Sequence, residues 1–127
     1  MADNLPDDIE NALLNALVGT TPWTVTTPIK LRLYTAVGSD AAEGTEVVGG
    51  TYTRQNIAFD AASGGTINNN AVINFTLMPA CTVTSIEIWS SDGTPKRLAY
   101  GTLGANKTVA LGDTLQFAIS SITLSLA

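Results

Sequence analysis

The sequence contains no histidine and a single cysteine, Cys81, among its 127 residues. The absence of histidine excludes Ser-His-Asp and Cys-His nucleophile activation, and it removes the commonest general base and metal ligand. One cysteine cannot form an intrachain disulfide, nor can it supply a zinc site of the usual Cys/His kind. Cys81 stands in an apolar stretch, where we expect a small buried core residue. The sequence therefore predicts a protein that is not an enzyme and that uses no metal or other cofactor.

Charge is scarce as well. Only 13% of the residues are charged and the formal net charge is −5, whereas about 25% is usual in globular proteins. Four of the eleven acids stand within the first ten residues, and the six cations are scattered. Because no basic surface is indicated, we expect no nucleic-acid binding. No apolar run approaches a membrane span and the acidic start is unlike a secretory signal, so we expect no membrane partner and synthesis in a cytoplasm.

Residues 1–19 are predicted to form an N-terminal amphipathic helix. The first turn is acidic, which suits the positive end of the helix dipole, and Gly19 suits the position after the last turn. Apolar residues recur at helical spacing between these ends: Ile9, Leu13, Leu14 and Leu17. A helix this short is marginal alone in water, so its apolar stripe packs either on its own domain or on a neighbouring chain. The sequence leaves both arrangements open.

The remainder of the chain has the two-residue period of β-strands. Residues 20–28 are a Thr/Pro linker that carries Trp23, and residues 29–127 contain seven or eight short alternating runs separated by Gly, Asn and Asp turns. Many of the polar positions are occupied by threonine, of which there are 18; this β-branched polar residue suits the solvent face of a strand. The predicted fold is mainly β, an antiparallel β-sandwich or jelly-roll-like domain with one helix in front.

Two local features of this domain are predicted from the phase of its apolar residues. Val83 is out of phase with Ile86 and Ile88, which indicates a β-bulge near Thr84-Ser85. In the run INFTL the alternation predicts that Leu77 points into the core with the isoleucine and phenylalanine before it.

Three polar segments resemble functional loops only superficially. Asp40, Glu43 and Glu46 share one Gly-rich loop, where a calcium ion is conceivable but simple solvation of the acids is the favoured interpretation. Residues 61–70, with two glycines and three asparagines, are predicted to be a turn. Residues 101–108 partly match a phosphate-binding loop, but the sequence after them has strand and turn character, so a hairpin is predicted instead.

Several segments in order along the chain resemble a family of small tailed-phage virion proteins commonly labelled phage tail-fibre-like. The resemblance is strongest in EGTEVVGGTYTRQNIAFDAASGG and LAYGTLGANKTVALGDTLQFA, and it extends to the closing ITLSLA and to the helical IENALLNAL. The segment TLMPACTVTSIEIW departs from the family pattern. The resemblance implies a non-enzymatic structural role in a virion, without a cofactor.

Within that role the favoured hypothesis is a capsid decoration (cement) or head-fibre protein, and a tail or tail-fibre component is the alternative. A carbohydrate-binding β-sandwich module is a second alternative, in which exposed aromatic residues stack on sugars. The expected partners are the major capsid protein or another virion protein, and copies of the chain itself, with a homotrimer favoured. The candidate assembly interface comprises helix residues and possible aromatic or arginine anchors: Ile9, Leu13, Leu14, Leu17, Trp23, Tyr52 and Arg54.

Overall fold

The computed structural model describes residues 5–126. The first four residues of the predicted helical segment, Asp3 among them, lie outside the described part. The elements in chain order are α1 (Asp7–Leu17), β1 (Ile29–Ala36), β2 (Thr45–Glu46), β3 (Gln55–Ile57), β4 (Thr66–Asn68), β5 (Ile73–Phe75), β6 (Cys81–Trp89), β7 (Arg97–Val109), β8 (Leu115–Phe117) and β9 (Thr123–Ser125).

All strand pairs in this set are antiparallel. The main sheet has the order β2-β1-β6-β7, and β3 also pairs with β1. Two short ladders, β4 with β9 and β5 with β8, form separate two-stranded sheets. The predicted fold class, mainly β and antiparallel with one helix near the N-terminus, is confirmed.

The apolar core lies between the main sheet and the two short ladders. The main sheet contributes one face of β1 and its neighbours, including Leu31, Leu33 and Ile88, whereas the ladders contribute Ile73 and Phe75. The Phe75 ring meets the rings of Tyr52 and Phe117, each at a centroid distance of 6.1 Å. Aromatic pairs at this separation add to the stabilisation from area burial alone.

Two features of the β6–β7 hairpin agree with the sequence pattern. The register shifts between Val83 and Ser85, so the predicted bulge near Thr84-Ser85 is confirmed. Residues 101–108 lie within strand β7 and open no helix, so the rejection of a phosphate-binding loop is also confirmed, although the segment is one continuous strand and not the predicted hairpin.

One other local prediction is incomplete and another is wrong. Residues 61–70 contain the predicted turn at Gly64 and Gly65, but they also contain β4, which pairs with β9. Leu77 does not point inward: its side chain is 57% exposed and its backbone is in the left-handed region (φ 51°), while Met78 is fully buried. The alternation of the strand ends one residue earlier than the sequence suggests, because the chain turns at Leu77 before Met78 enters the core.

Asn69, which follows β4, connects this strand to the segment between β8 and β9. Its side chain is fully buried. The Nδ2 group donates to the carbonyl oxygens of Ala71 and Ala118 at 2.9 and 3.0 Å, and Oδ1 accepts from the backbone N–H of Ile122 at 2.9 Å. One amide thus satisfies three backbone groups, one of them two residues away and the other two in the distant segment 118–122. Buried backbone groups need such partners.

We expect Asn69→Ala to lower the free energy of unfolding by about 1–3 kcal/mol, because it leaves buried backbone groups without hydrogen-bond partners. Urea unfolding followed by circular dichroism measures the change. The matched control is Asn70→Ala, which removes the exposed neighbouring amide and should change stability by less than about 0.5 kcal/mol. Equal effects of the two substitutions would contradict the structural role of Asn69.

Candidate assembly surface

Helix α1 is fixed to the domain at its beginning. The backbone N–H of Asp7 donates to the carbonyl oxygen of Asp40 at 3.4 Å, and Ile9 is only 2% exposed. Leu13, one turn later, is half-buried. The helix ends where the sequence predicts, because Gly19 adopts a left-handed φ of 75° and its N–H donates to the carbonyl oxygen of Ala16.

The last turns of α1 are not covered. Leu14 is 60% exposed, Leu17 is 79% exposed and Val18, just past the helix, is 73% exposed. These three residues are called the helix tip below. A short helix gains most of its stability from packing an apolar face, and here the stripe is packed at its first turn and left open at its last.

A groove of about 760 Å³ begins beside the same helix. Its floor is the apolar face of β6 and β7, with Ile86, Ile88 and Ala99, and Leu13 of α1 contributes to its wall. Residues of the β4–β9 ladder, including Leu124, also line the groove. A groove of this size is in the range of known binding pockets.

The other sequence-predicted interface residues lie elsewhere. Trp23, in the linker, is half-buried. Tyr52 packs against the core, and its hydroxyl donates to Glu46 Oε2 at 2.8 Å and accepts from the N–H of Leu33 at 3.0 Å. Arg54 forms a bidentate pair with Glu46, at 2.9 and 2.8 Å. Tyr52 and Arg54 are thus joined through one carboxylate, and the structure does not bring them together with the helix tip in a common cluster of contacts.

The Glu46 carboxylate is held in its charged form. Burial alone raises the pKa of this group, but hydrogen bonds from Arg54 and Tyr52 outweigh burial and hold the pKa below its ordinary value. Burial is also the main cause that raises the pKa of Tyr52, and the hydrogen bond to Glu46 adds to it. The hydroxyl therefore remains protonated, as its bond to the carboxylate requires.

The second face of the main sheet carries a buried ionic cluster under the loop between β1 and β2. Glu87 is 1% exposed and accepts from the Trp89 indole N–H and from the backbone N–H of Gly44, both at 3.0 Å. Arg97 lies 3.5 Å from the Glu87 carboxylate and also donates to the carbonyl oxygens of Ser39 and Asp40. This cluster closes the loop over the sheet.

Tyr34 and Arg32 of β1 also contact the loop between β1 and β2, through Glu43. Tyr34 is fully buried and its hydroxyl donates to Glu43 at 2.7 Å. Burial, and next this hydrogen bond, raise the pKa of Tyr34 well above its ordinary value. The Arg32 guanidinium lies 3.8 Å above the Trp89 ring and 3.6 Å from Glu43. Cation–π and ion-pair contacts of this kind are strongest when water is excluded.

The expectation that the loop acids are merely solvated is wrong. Asp40 accepts from the Tyr100 hydroxyl, Glu43 from Tyr34, and Glu46 from Tyr52 and Arg54. One signal in the sequence indicates the buried ionic cluster, because Glu87 stands between two isoleucines in β6. A lone acid in an apolar strand is seldom buried without partners.

Within residues 5–126, no group of three or more acids and cysteines is arranged to hold a metal ion. Cys81 is half-buried, and burial raises the pKa of its thiol. No helix in the described part of the chain is both long enough and apolar enough to cross a membrane.

Residues 4–125 match the family model for Podophage GP4 fiber I protein gp80. The chain belongs to this family. A search of curated proteins finds no match. Membership of this phage fibre family confirms the resemblance seen in the sequence. The chain is therefore a phage virion structural protein.

The buried pair in this fibre-family protein gives a prediction for stability. We expect Glu87→Gln to lower the free energy of unfolding by about 3 kcal/mol, because Arg97 is then left as an uncompensated buried charge. Arg97→Met should lower the free energy of unfolding by a similar amount, because it leaves Glu87 as the uncompensated buried charge. The double variant should lose clearly less than the sum, as a double-mutant cycle by urea unfolding would show. Effects that add to within about 0.5 kcal/mol would contradict a coupled pair.

The Glu46 carboxylate gives a prediction for acid stability. Because its folded-state pKa is lowered, the group stabilises the fold at neutral pH, and this contribution is lost as the pH falls from the ordinary value of 4.5 through the folded-state value. The difference in Tm between wild type and Glu46→Gln should therefore be largest near neutral pH and shrink below pH 4.5.

Thermal unfolding at a series of pH values measures this difference. Arg54→Gln serves as the companion variant, since it keeps the carboxylate but removes its bidentate partner, and it should abolish part of the same pH-dependent stability. A difference between wild type and Glu46→Gln that stays constant through the acid range would contradict this account.

Proposed function

We propose that the chain is a subunit of a virion fibre and that it is attached to its assembly through the helix tip of α1. The observation that carries the proposal is the division of the helix: Ile9 is buried in the chain's own domain, whereas Leu14 and Leu17 are mostly exposed. The description of the family, a podophage fibre protein, supports the choice of a fibre. The role is structural and requires no catalytic group.

The energetics of the helix tip suit repeated attachment. Burying a leucine side chain stabilises a complex by roughly 1.5–3 kcal/mol, so two leucines and Val18 provide a modest contact. Modest contacts become effectively permanent when several copies are linked in one particle, because each later binding event is intramolecular. The fixed first turn also limits the freedom that the helix loses on binding.

The proposed partners are another virion protein at the attachment point and further copies of the chain, with a trimer as the favoured oligomer. Capsid decoration, with the major capsid protein as partner, is the competing role. It uses the same helix tip and the same compact domain, and it differs in the number of copies per particle. Copy number therefore discriminates between the two roles.

The carbohydrate-binding alternative receives less support from the positions of the aromatic residues. Tyr34 is fully buried, Trp89 is covered by the Arg32 guanidinium, and Tyr52 bonds to Glu46. Stacking on a sugar needs an open ring face. Most of the rings expected to stack are thus engaged within the domain.

The test is quantitative mass spectrometry of purified phage particles that carry this chain, compared between intact virions and separated tails. A fibre subunit should be present in roughly three to twelve copies, set by the cyclic symmetry of its attachment. Hundreds of copies that follow the capsid shell would overturn the fibre role in favour of decoration.

The attachment surface is tested in the same particles. We expect Leu17→Asp to reduce incorporation by about tenfold or more, because a charge in a buried apolar contact is strongly unfavourable. Leu111→Asp is the matched control, since Leu111 is 75% exposed and lies far along the chain in the turn after β7. Both variants should keep the β-sheet circular dichroism of the wild type. Equal incorporation of the two variants would contradict attachment through the helix tip.

A further inference from the structure

We propose that the groove beside α1 is the receptor for the helix tip of a second copy, so that neighbouring subunits exchange their helix ends. This inference rests on the proposed function, because it assigns a partner to the same helix tip. The occupant is a second copy of this chain. The groove and the helix tip match in their lack of charge and in their apolar character.

The groove is free of charge. Its lining, which lies entirely within the described residues, contains no Asp, Glu, Lys or Arg. Its floor and walls are apolar at Ile86, Ile88, Phe117 and Leu124, with threonines and serines at the rim. An occupant with ionised side chains would lose their hydration there without gaining an opposite charge.

The helix is charged only at its other end. Asp7, Asp8 and Glu10 stand in the first turn, whereas residues 11–18 carry no ionisable side chain. The helix tip is thus an uncharged apolar surface on a chain whose net charge is −5. When the tip enters a groove, the three acids remain about one to three turns away in solvent, and no charge is buried.

The groove does not hold the helix tip of its own chain. In its own copy the helix supplies Leu13 to the groove wall, but Leu14 and Leu17 do not line the groove. A second helix that lies alongside α1 would contact both the groove and Leu13. Since each copy has one helix tip and one groove, every subunit gives and receives the same contact, as in isologous or cyclic assemblies.

The first test is the size of the full-length protein in solution. Light scattering coupled to size exclusion should find a dimer or trimer in the wild type, with a dissociation constant that rises about tenfold or more in Leu17→Asp. Thr102→Lys, which places a charge at the exposed rim of the groove, should have the same effect. Leu111→Asp should leave the oligomer unchanged. A wild type that is monomeric across a ~100-fold range of concentration would overturn the exchange.

The second test fixes the geometry. In a Cys81→Ser background, Leu17→Cys combined with Thr102→Cys should form a disulfide between chains under mild oxidation and migrate as a dimer or larger species on a non-reducing gel. Leu111→Cys combined with Thr102→Cys is the control and should remain monomeric. A disulfide within one chain, which migrates as a monomer, would overturn the exchange because it places the helix tip in its own groove.

The two proposals fail separately. If the protein is monomeric in solution but Leu17→Asp is still lost from particles, helix exchange is wrong and attachment to another virion protein stands. If the oligomer forms but Leu17→Asp is incorporated normally, the exchange stands and attachment through the helix tip is wrong.

Discussion

The buried carboxylate of Glu87 is the interaction that connects the main sheet to the loop covering it. It accepts hydrogen bonds from Trp89 of its own strand and from Gly44 of the covering loop, and it pairs with Arg97. A carboxylate removed from water is tolerated only with such partners. Through these contacts the loop is closed over the sheet, and a Cβ at Gly44 would clash with the carbonyl oxygen of Ala36. The main sheet therefore has two buried faces, one apolar and one ionic.

The ionic face also positions the helix. Arg97 pairs with Glu87 and donates to the carbonyl oxygen of Asp40, and the same carbonyl accepts the N–H of Asp7 at the start of α1. The start of the helix is thus connected to the buried ionic cluster on the sheet. Because the first turn is fixed in this way, the exposed Leu17 at the other end has a defined direction, which an assembly contact requires.

The sequence predicts those features that depend on local periodicity. The helix, its end at Gly19 and the bulge after Val83 each follow from spacing within a few residues. The sequence does not predict features that depend on distant partners. Glu87 meets Gly44 across 43 residues, and Asn69 bonds to Ala118 across 49. The acids between β1 and β2 have the composition of a solvated loop, and only the tertiary structure brings them to tyrosines and arginines. The groove is likewise lined by β4 and β9, which pair although they lie far apart in the sequence, so no local pattern indicates it.

The exposed apolar residues of this chain differ in what their exposure implies. Single exposed residues such as Leu111 are ordinary on protein surfaces and need no partner. Leu14, Leu17 and Val18 differ because they lie together on the last turns of one helix that is short, fixed at its beginning and free of charge along its second half. A helix of eleven residues is marginal unless its apolar face is packed, and in the isolated subunit that face is packed at only one end. Covering the helix tip in an assembly would stabilise the helix as well as the contact, so the folding of α1 and the association of subunits reinforce each other.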